Sequence, residues 1–154
     1  MKREKYSYEN SAIRVCLDGK GEAGIFGSMH SPFWKEEKCF QDIVTIFMNI
    51  EELMDDRGFP EPMYKSRTFK KTQRIGEESH GTIYRTQEAL SKEHGHVETM
   101  LVYVTSRKHT SIQGHVVTLS TGKIQKYKSE LQLLRIIEEQ FVVQKKIENR
   151  MIEM

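Results

Sequence analysis

A basic segment with two aromatic rings, Tyr64 and Phe69, is the part of the sequence best suited to binding a polyanion. Its five cations, which no acidic residue accompanies, are Lys65, Arg67, Lys70, Lys71 and Arg74. Lys and Arg neutralise phosphates, and aromatic rings stack on bases. A second basic group comprises Arg107, Lys108, Lys123, Lys126 and Lys128. Because the net charge of the whole chain is only +2, a solvated loop explains the segment better, and nucleic-acid binding is the alternative.

An adjacent aromatic pair, Phe33-Trp34, is the pattern that most favours protein recognition. It follows Ser31-Pro32, which ends a strand pattern. Exposed Trp side chains carry much of the binding energy of many protein interfaces. A plug that closes one end of the core is the alternative use of such rings. The sequence therefore offers Phe33 and Trp34 as candidate protein-binding residues.

Six histidines raise the question of a metal site. They are His30, His80, His94, His96, His109 and His115. Zinc needs three or four ligands, and no cysteine or carboxylate stands at zinc-finger or metalloprotease spacing from them. The sequence also lacks a nucleophile elbow and a phosphate-binding glycine loop. We therefore predict no metal, no cofactor and no catalytic residue, and a histidine-based metal or enzyme site is the least favoured alternative.

The elements that would position these residues occur twice in the chain. Residues 13–54 align with residues 100–141 at a constant offset and without a gap. Matched positions include Val15 and Val102, Gly27 and Gly114, and Phe40 and Tyr127. An internal repeat of this kind determines the architecture.

Each copy has the pattern of two or three strands followed by a helix. In the first copy, alternating polarity predicts strands over 12–17, 24–30 and 37–40, with a turn over 18–21. Asp42 is the predicted cap of the helix that follows. In the second copy the strands are 99–105, 111–119 and 124–127, with a turn over 106–110. There Ser129 and Gln132 have the spacing of a capping box.

This pattern predicts one α+β domain over residues 1–154. We expect a tandem β-β-(β)-α repeat whose antiparallel sheet or sheets are covered on one face by two long helices. Its parts are repeat 1 (13–56), a connecting insert (64–98) and repeat 2 with an extended C-terminal helix (99–154). The apolar stripe of that helix continues beyond the repeat and needs a cover. Either the insert supplies it or the same helix of a second subunit does, which would give a homodimer.

The second copy also resembles a group of small uncharacterised proteins from Firmicutes, chiefly clostridia. The motif is Ser111-x-x-Gly114 followed by Tyr127-x-Ser129-x-Leu131-x-Leu133-Leu134-x-x-Ile137. The first copy, from Ile13-Arg14-Val15 through Pro32 to Phe40, is similar to longer, two-unit relatives. The resemblance covers roughly 13–62 and 99–141. It implies the same repeat and a bacterial cytoplasmic setting, and it carries no known activity.

Length and composition agree with a small cytoplasmic protein. The chain has 154 residues, of which 37% are apolar and 30% charged. It has no apolar run of the roughly 18 residues that a membrane span needs, and its N-terminus does not have the pattern of a secretory signal. We therefore expect no membrane association. The function that we predict is a non-enzymatic binding or regulatory protein that contacts another protein, of the kind that mobile elements use to modulate a host system.

Overall fold

The computed structural model describes residues 2–5, 11–57, 80–108 and 111–153. Within these ranges, strands and helices follow one another in an order that confirms the α+β class. The strands are β1 (Lys2–Lys5), β2 (Ile13–Lys20), β3 (Ile25–His30), β4 (Lys38–Phe40), β5 (His80–Ile83), β6 (Glu98–Lys108), β7 (Ser111–Thr118) and β8 (Lys123–Tyr127). The helices are α1 (Ile43–Arg57), α2 (Gln87–Leu90) and α3 (Glu130–Glu153).

Six of the strands form one antiparallel sheet in the order β4-β3-β2-β6-β7-β8. Strands β1 and β5 pair with each other in a separate antiparallel ribbon. At the centre of the large sheet, Ile13 lies opposite Val102, and Val15 lies opposite Met100. The strands β2–β4 therefore meet the strands β6–β8 where β2 pairs with β6.

Both central strands contain a register shift of the kind that a β-bulge produces. In β2 it lies between Leu17 and Gly19, and in β6 between Val104 and Ser106. The turns predicted over 18–21 and 106–110 are misplaced, because β2 continues to Lys20 and β6 continues to Lys108. A bulge inserts one extra residue, so the alternation of polarity breaks although the strand does not end. Residues 109 and 110 lie outside the described ranges.

Asp42 and Ser129 cap α1 and α3 as predicted, but the capping box at Ser129 is only half formed, because Gln132 accepts from Lys128 and not from Ser129. The Thr45 amide donates to Asp42 Oδ1 at 2.8 Å before α1. Before α3, the Gln132 amide donates to Ser129 Oγ at 3.3 Å, and Gln132 Oε1 accepts from the Lys128 amide at 2.6 Å. The contacts of Thr45 and Gln132 satisfy amides that the first turn of a helix leaves without a partner.

One face of the large sheet carries the hydrophobic core. Alternate residues of the strands are buried there, including Ile13, Val15 and Leu17 on β2. Ile46 and Ile50 of α1 join the same cluster, as do Leu133 and Ile137 of α3. No helix among the described residues has both the length and the apolar character that crossing a bilayer requires.

Candidate functional site

The side of the sheet opposite the core holds buried polar residues where β2 pairs with β3. Arg14 lies opposite His30, and Cys16 lies opposite Ser28. Because side chains alternate along a strand, these four point away from the side that Ile13 and the other core residues occupy. Arg14, Cys16 and His30 are all buried. Burial also raises the pKa of the Cys16 thiol to about 11, so Cys16 is an unreactive thiol at neutral pH.

Residues 84–97, which we call the cover segment, pack over this polar surface. Arg14 Nε donates to the carbonyl oxygen of Glu93 at 2.7 Å, and Arg14 Nη2 to that of Ser91 at 3.3 Å. At the end of the segment, the Val97 amide donates to the carbonyl oxygen of Leu17 at 2.8 Å. A charged donor that reaches carbonyl oxygens makes a strong hydrogen bond, so Arg14 fixes the cover segment on the sheet.

His30 lies at the centre of a network of charged side chains. Arg85 Nη1 is 3.1 Å from His30 Nδ1, and Ser28 Oγ is 2.9 Å from His30 Nε2. A guanidinium can only donate, so Nδ1 must accept. The proton of the neutral ring therefore lies on Nε2 and is donated to Ser28. Burial lowers the pKa of His30, Glu93 opposes this, and Arg85 lowers the pKa further.

Two carboxylates, Glu37 and Glu93, lie next to His30, Ser28 and Arg85, and we call these five residues the polar cluster. Glu37 Oε2 is 3.7 Å from His30 Nε2, and Glu93 Oε2 is 4.0 Å from Arg85 Nη2. One ligand atom each of His30, Glu37 and Glu93 lies within 4.8 Å of the other two. An imidazole nitrogen and two carboxylate oxygens are a donor set that divalent transition metals accept.

Beside the polar cluster, a cleft of about 510 Å³ opens around Trp34. We call it the aromatic groove; it is lined by Phe33, Trp34, Lys35, Glu36, Glu37, Lys38 and Tyr84. The amides of Tyr84 and Arg85 donate to the carbonyl oxygen of Pro32 at 2.9 and 3.4 Å. These bonds join the loop after β3 to the start of the cover segment, so the two walls of the groove are held together.

The aromatic residues of the groove have different environments. Phe33 is 6% exposed and belongs to the core, while Trp34 is half-buried and packs against that core. Tyr84 is 41% exposed. The ammonium group of Lys38 lies 5.4 Å from the centre of the Trp34 ring, within the range of a cation–π contact. Phe33 thus forms the buried base of the groove, and Trp34 and Tyr84 form its accessible surface.

The other residues that the sequence singled out either lie in undescribed parts of the chain or take no part in the polar cluster. Lys65, Arg67, Lys70, Lys71 and Arg74 lie outside the described ranges. His94 and His96 are exposed and are not members of the polar cluster. The assignment of Arg107 to a second basic group is wrong, because its guanidinium is buried and lies 2.6 Å from Asp55 Oδ1 on the helix side of the sheet.

The polar cluster is absent from the sequence-based prediction. Its members come from the end of β3, the loop before β4 and the cover segment, so no single local motif contains them all. The polar residues Arg14 and His30 within otherwise apolar strand patterns were the available signal. Comparison with protein-family models, curated proteins and solved structures finds no match for this chain.

Proposed function

We propose that this chain is a non-enzymatic binding protein that regulates another protein by contacting it through the aromatic groove. The observation that carries the proposal is the placement of Trp34. One part of its side chain packs against the core, and the side chain also lines a cleft next to the exposed ring of Tyr84. An aromatic anchor that is already ordered loses little conformational freedom on binding, and such anchors dominate interface energies.

The charged residues around the groove suit the edge of a protein interface. Lys35 and Lys38 stand on either side of Glu36 and Glu37 in the sequence, so the four charges of the groove balance. Interfaces commonly combine an aromatic centre with a polar, solvent-accessible rim. The mixed signs favour a partner with a complementary charge pattern over a simple polyanion.

The test is a comparison of partner recovery by groove variants and matched controls. Tyr84→Ala removes an exposed ring, and Trp34→Ala removes the anchor, which we expect to cost about 2 kcal/mol or more of binding free energy. Val44→Ala and Met48→Ala shorten exposed apolar side chains of α1 and serve as controls. The proposal requires that both groove variants lose the partner and both controls keep it. Equal recovery of the partner by all four variants would show that the groove is not the binding surface.

Nucleic-acid binding is the second candidate, and one observation favours it. Lys108, Lys123, Lys126 and Lys128 are exposed, and Lys126 lies opposite His115, whose ring stacks on Tyr103 at 4.6 Å. Binding to random oligonucleotides at low salt that declines as salt rises would support this candidate. Replacing Lys70, Lys71 and Arg74 with Gln would then weaken it. Absence of oligonucleotide binding at low salt would exclude this candidate function.

We also propose that the fold arose as a tandem β-β-β-α repeat, residues 13–56 and 99–154 joined by the insert 64–98. Several equivalent positions support this. Gly27 lies opposite Phe40 as Gly114 lies opposite Tyr127. The bulges of β2 and β6 also occupy aligned positions. Paired substitutions at the two glycines test this proposal.

A further inference from the structure

The polar cluster combines a buried imidazole with two carboxylates that reach solvent. The His30 side chain is 2% exposed, whereas those of Glu37 and Glu93 are 52% and 33% exposed. The three residues come from separate parts of the chain, and the pairing of β2 with β3 and the cover segment bring them together. The imidazole is therefore fixed, and the carboxylates can adjust around it.

We propose that His30, Glu37 and Glu93 bind one divalent first-row transition metal ion, for which Zn²⁺ is the appropriate probe. His30 Nε2 and one oxygen from each carboxylate would be the protein ligands. Imidazole selects Zn²⁺ and its neighbours over Mg²⁺, and Ca²⁺ would need six to eight oxygen ligands. Three protein ligands leave a position for water or for a group of a bound partner.

The distances in the cluster are close to those of a metal site. Two ligands bound tetrahedrally to one Zn²⁺ at roughly 2.1 Å are about 3.4 Å apart. Glu37 Oε2 lies 3.7 Å from His30 Nε2, and every pair of ligand atoms lies within 4.8 Å. Both carboxylates are partly exposed, so their side chains can rotate toward the imidazole to close this gap.

Arg85 competes with the metal for His30. While Arg85 donates to Nδ1, the ring proton must stay on Nε2, and a protonated Nε2 cannot bind a metal. Zn²⁺ binding moves the proton to Nδ1, where it would face the guanidinium that donates there now. The Arg85–Nδ1 hydrogen bond and a metal on Nε2 therefore exclude each other.

A bound metal would also act on the aromatic groove. Glu37 lines the groove and lies three residues after Trp34, whereas Glu93 belongs to the cover segment. A metal that joins these carboxylates would tie the Trp34 loop to the cover segment. Regulation of partner binding by the metal rests on the proposed function, whereas metal binding itself does not.

The experiment is calorimetric titration of the full chain with Zn²⁺, combined with long-range ¹H–¹⁵N spectra of the imidazoles. We expect one equivalent to bind and the Nε2 resonance of His30 to shift. Glu37→Gln and Glu93→Gln remove direct ligands, so each should weaken binding by at least about 100-fold, the upper end of what losing an outer-shell partner costs. Arg85→Met, which removes both the charge and the donor, should strengthen binding on the order of tenfold. Glu36→Gln and the double variant His94→Gln/His96→Gln are matched controls, because these side chains are exposed and outside the cluster.

The outcomes separate the site from adventitious binding by surface histidines. Loss of the titration in Glu37→Gln and Glu93→Gln, with both controls unchanged, establishes the site. Loss in His94→Gln/His96→Gln alone overturns it, as does no binding at millimolar Zn²⁺. Weaker binding of Zn²⁺ by Arg85→Met would contradict the competition between Arg85 and the metal. A metal site without any effect of Zn²⁺ on partner recovery would leave the site intact and disprove its regulatory role.

Discussion

Tyr127 donates a hydrogen bond from its phenolic oxygen to the carbonyl oxygen of Tyr103, at 2.7 Å, across Gly114. A Cβ at Gly114 would overlap that carbonyl oxygen and lie 2.8 Å from the phenolic oxygen. The first half of the sheet has a similar arrangement. There a Cβ at Gly27 would overlap the carbonyl oxygen of Cys16 and meet the Phe40 ring at 3.0 Å. Glycine is therefore required at both places by close approach of backbone and ring.

The two glycines give a paired prediction about stability. Gly27→Ala and Gly114→Ala should each lower the free energy of unfolding, by about 1–3 kcal/mol, because the added methyl group displaces a neighbouring strand. Gly21→Ala is the control, since its Cβ would make an ordinary 3.7 Å contact with Phe26. Urea denaturation measures all three. A large effect at one of the two paired glycines and none at the other would contradict their structural equivalence.

A second prediction concerns the cover segment. Arg14→Met keeps a long side chain but removes the donors to the carbonyl oxygens of Ser91 and Glu93. We expect the free energy of unfolding to fall by roughly 3 kcal/mol or more, since two bonds are lost and each bond to a charged donor contributes about 1.5–3 kcal/mol. Hydrogen exchange of the Glu93 and Val97 amides should also accelerate more than that of the core strands.

Lys20→Met at the exposed end of the same strand is the control for Arg14. It changes charge and length in the same way without contacting the cover segment. If Arg14→Met and Lys20→Met gave equal stability and equal exchange at Glu93, Arg14 would not be what holds the segment.

A third prediction is a pH dependence from the cap of α1. Hydrogen bonds from Thr45 lower the pKa of Asp42 in the folded protein. A carboxylate with a depressed folded pKa contributes stability above its unfolded pKa and loses it as pH falls through the folded value. The difference in unfolding free energy between wild type and Asp42→Ala should therefore be full at pH 7 and shrink below about pH 4.

Asp56→Ala, near the other end of α1, is the matched control for Asp42. Denaturation at pH 7 and at pH 3 gives the comparison. A stability difference between wild type and Asp42→Ala that stays constant over this range would show that the ionised carboxylate is not the capping group.

Local signals in the sequence predicted much of the fold. The alternation of Ile13, Val15 and Leu17 located β2 because one face of the sheet is buried, and the caps at Asp42 and Ser129 located the helices because capping is a local interaction. The alternation of polarity failed at the two bulges, where turns were predicted although the strands continue. After the bulge of β6, Arg107 lies opposite the buried Ile112 and so faces the helices, where it meets Asp55.

The functional site was only partly predictable. Phe33 and Trp34 stood out by residue type, but their division into a buried ring and a groove residue depends on packing. Arg85 and Glu93 belong to a stretch without periodicity, and they reach His30 because Arg14 and the carbonyl oxygen of Pro32 hold that stretch against the sheet. Contacts between residues so distant in the chain follow from the tertiary structure and leave no spacing in the sequence.

The most direct test of the central claim, recognition of a protein through the aromatic groove, is site-specific photo-crosslinking in cells. A benzophenone amino acid is placed at position 84 in the groove or at position 44, on the exposed surface of α1. We predict that one partner protein crosslinks from position 84 and not from position 44, and that Trp34→Ala lowers this yield at least about tenfold. Equal crosslinking from both positions, or a yield from position 84 that Trp34→Ala leaves unchanged, would contradict the account.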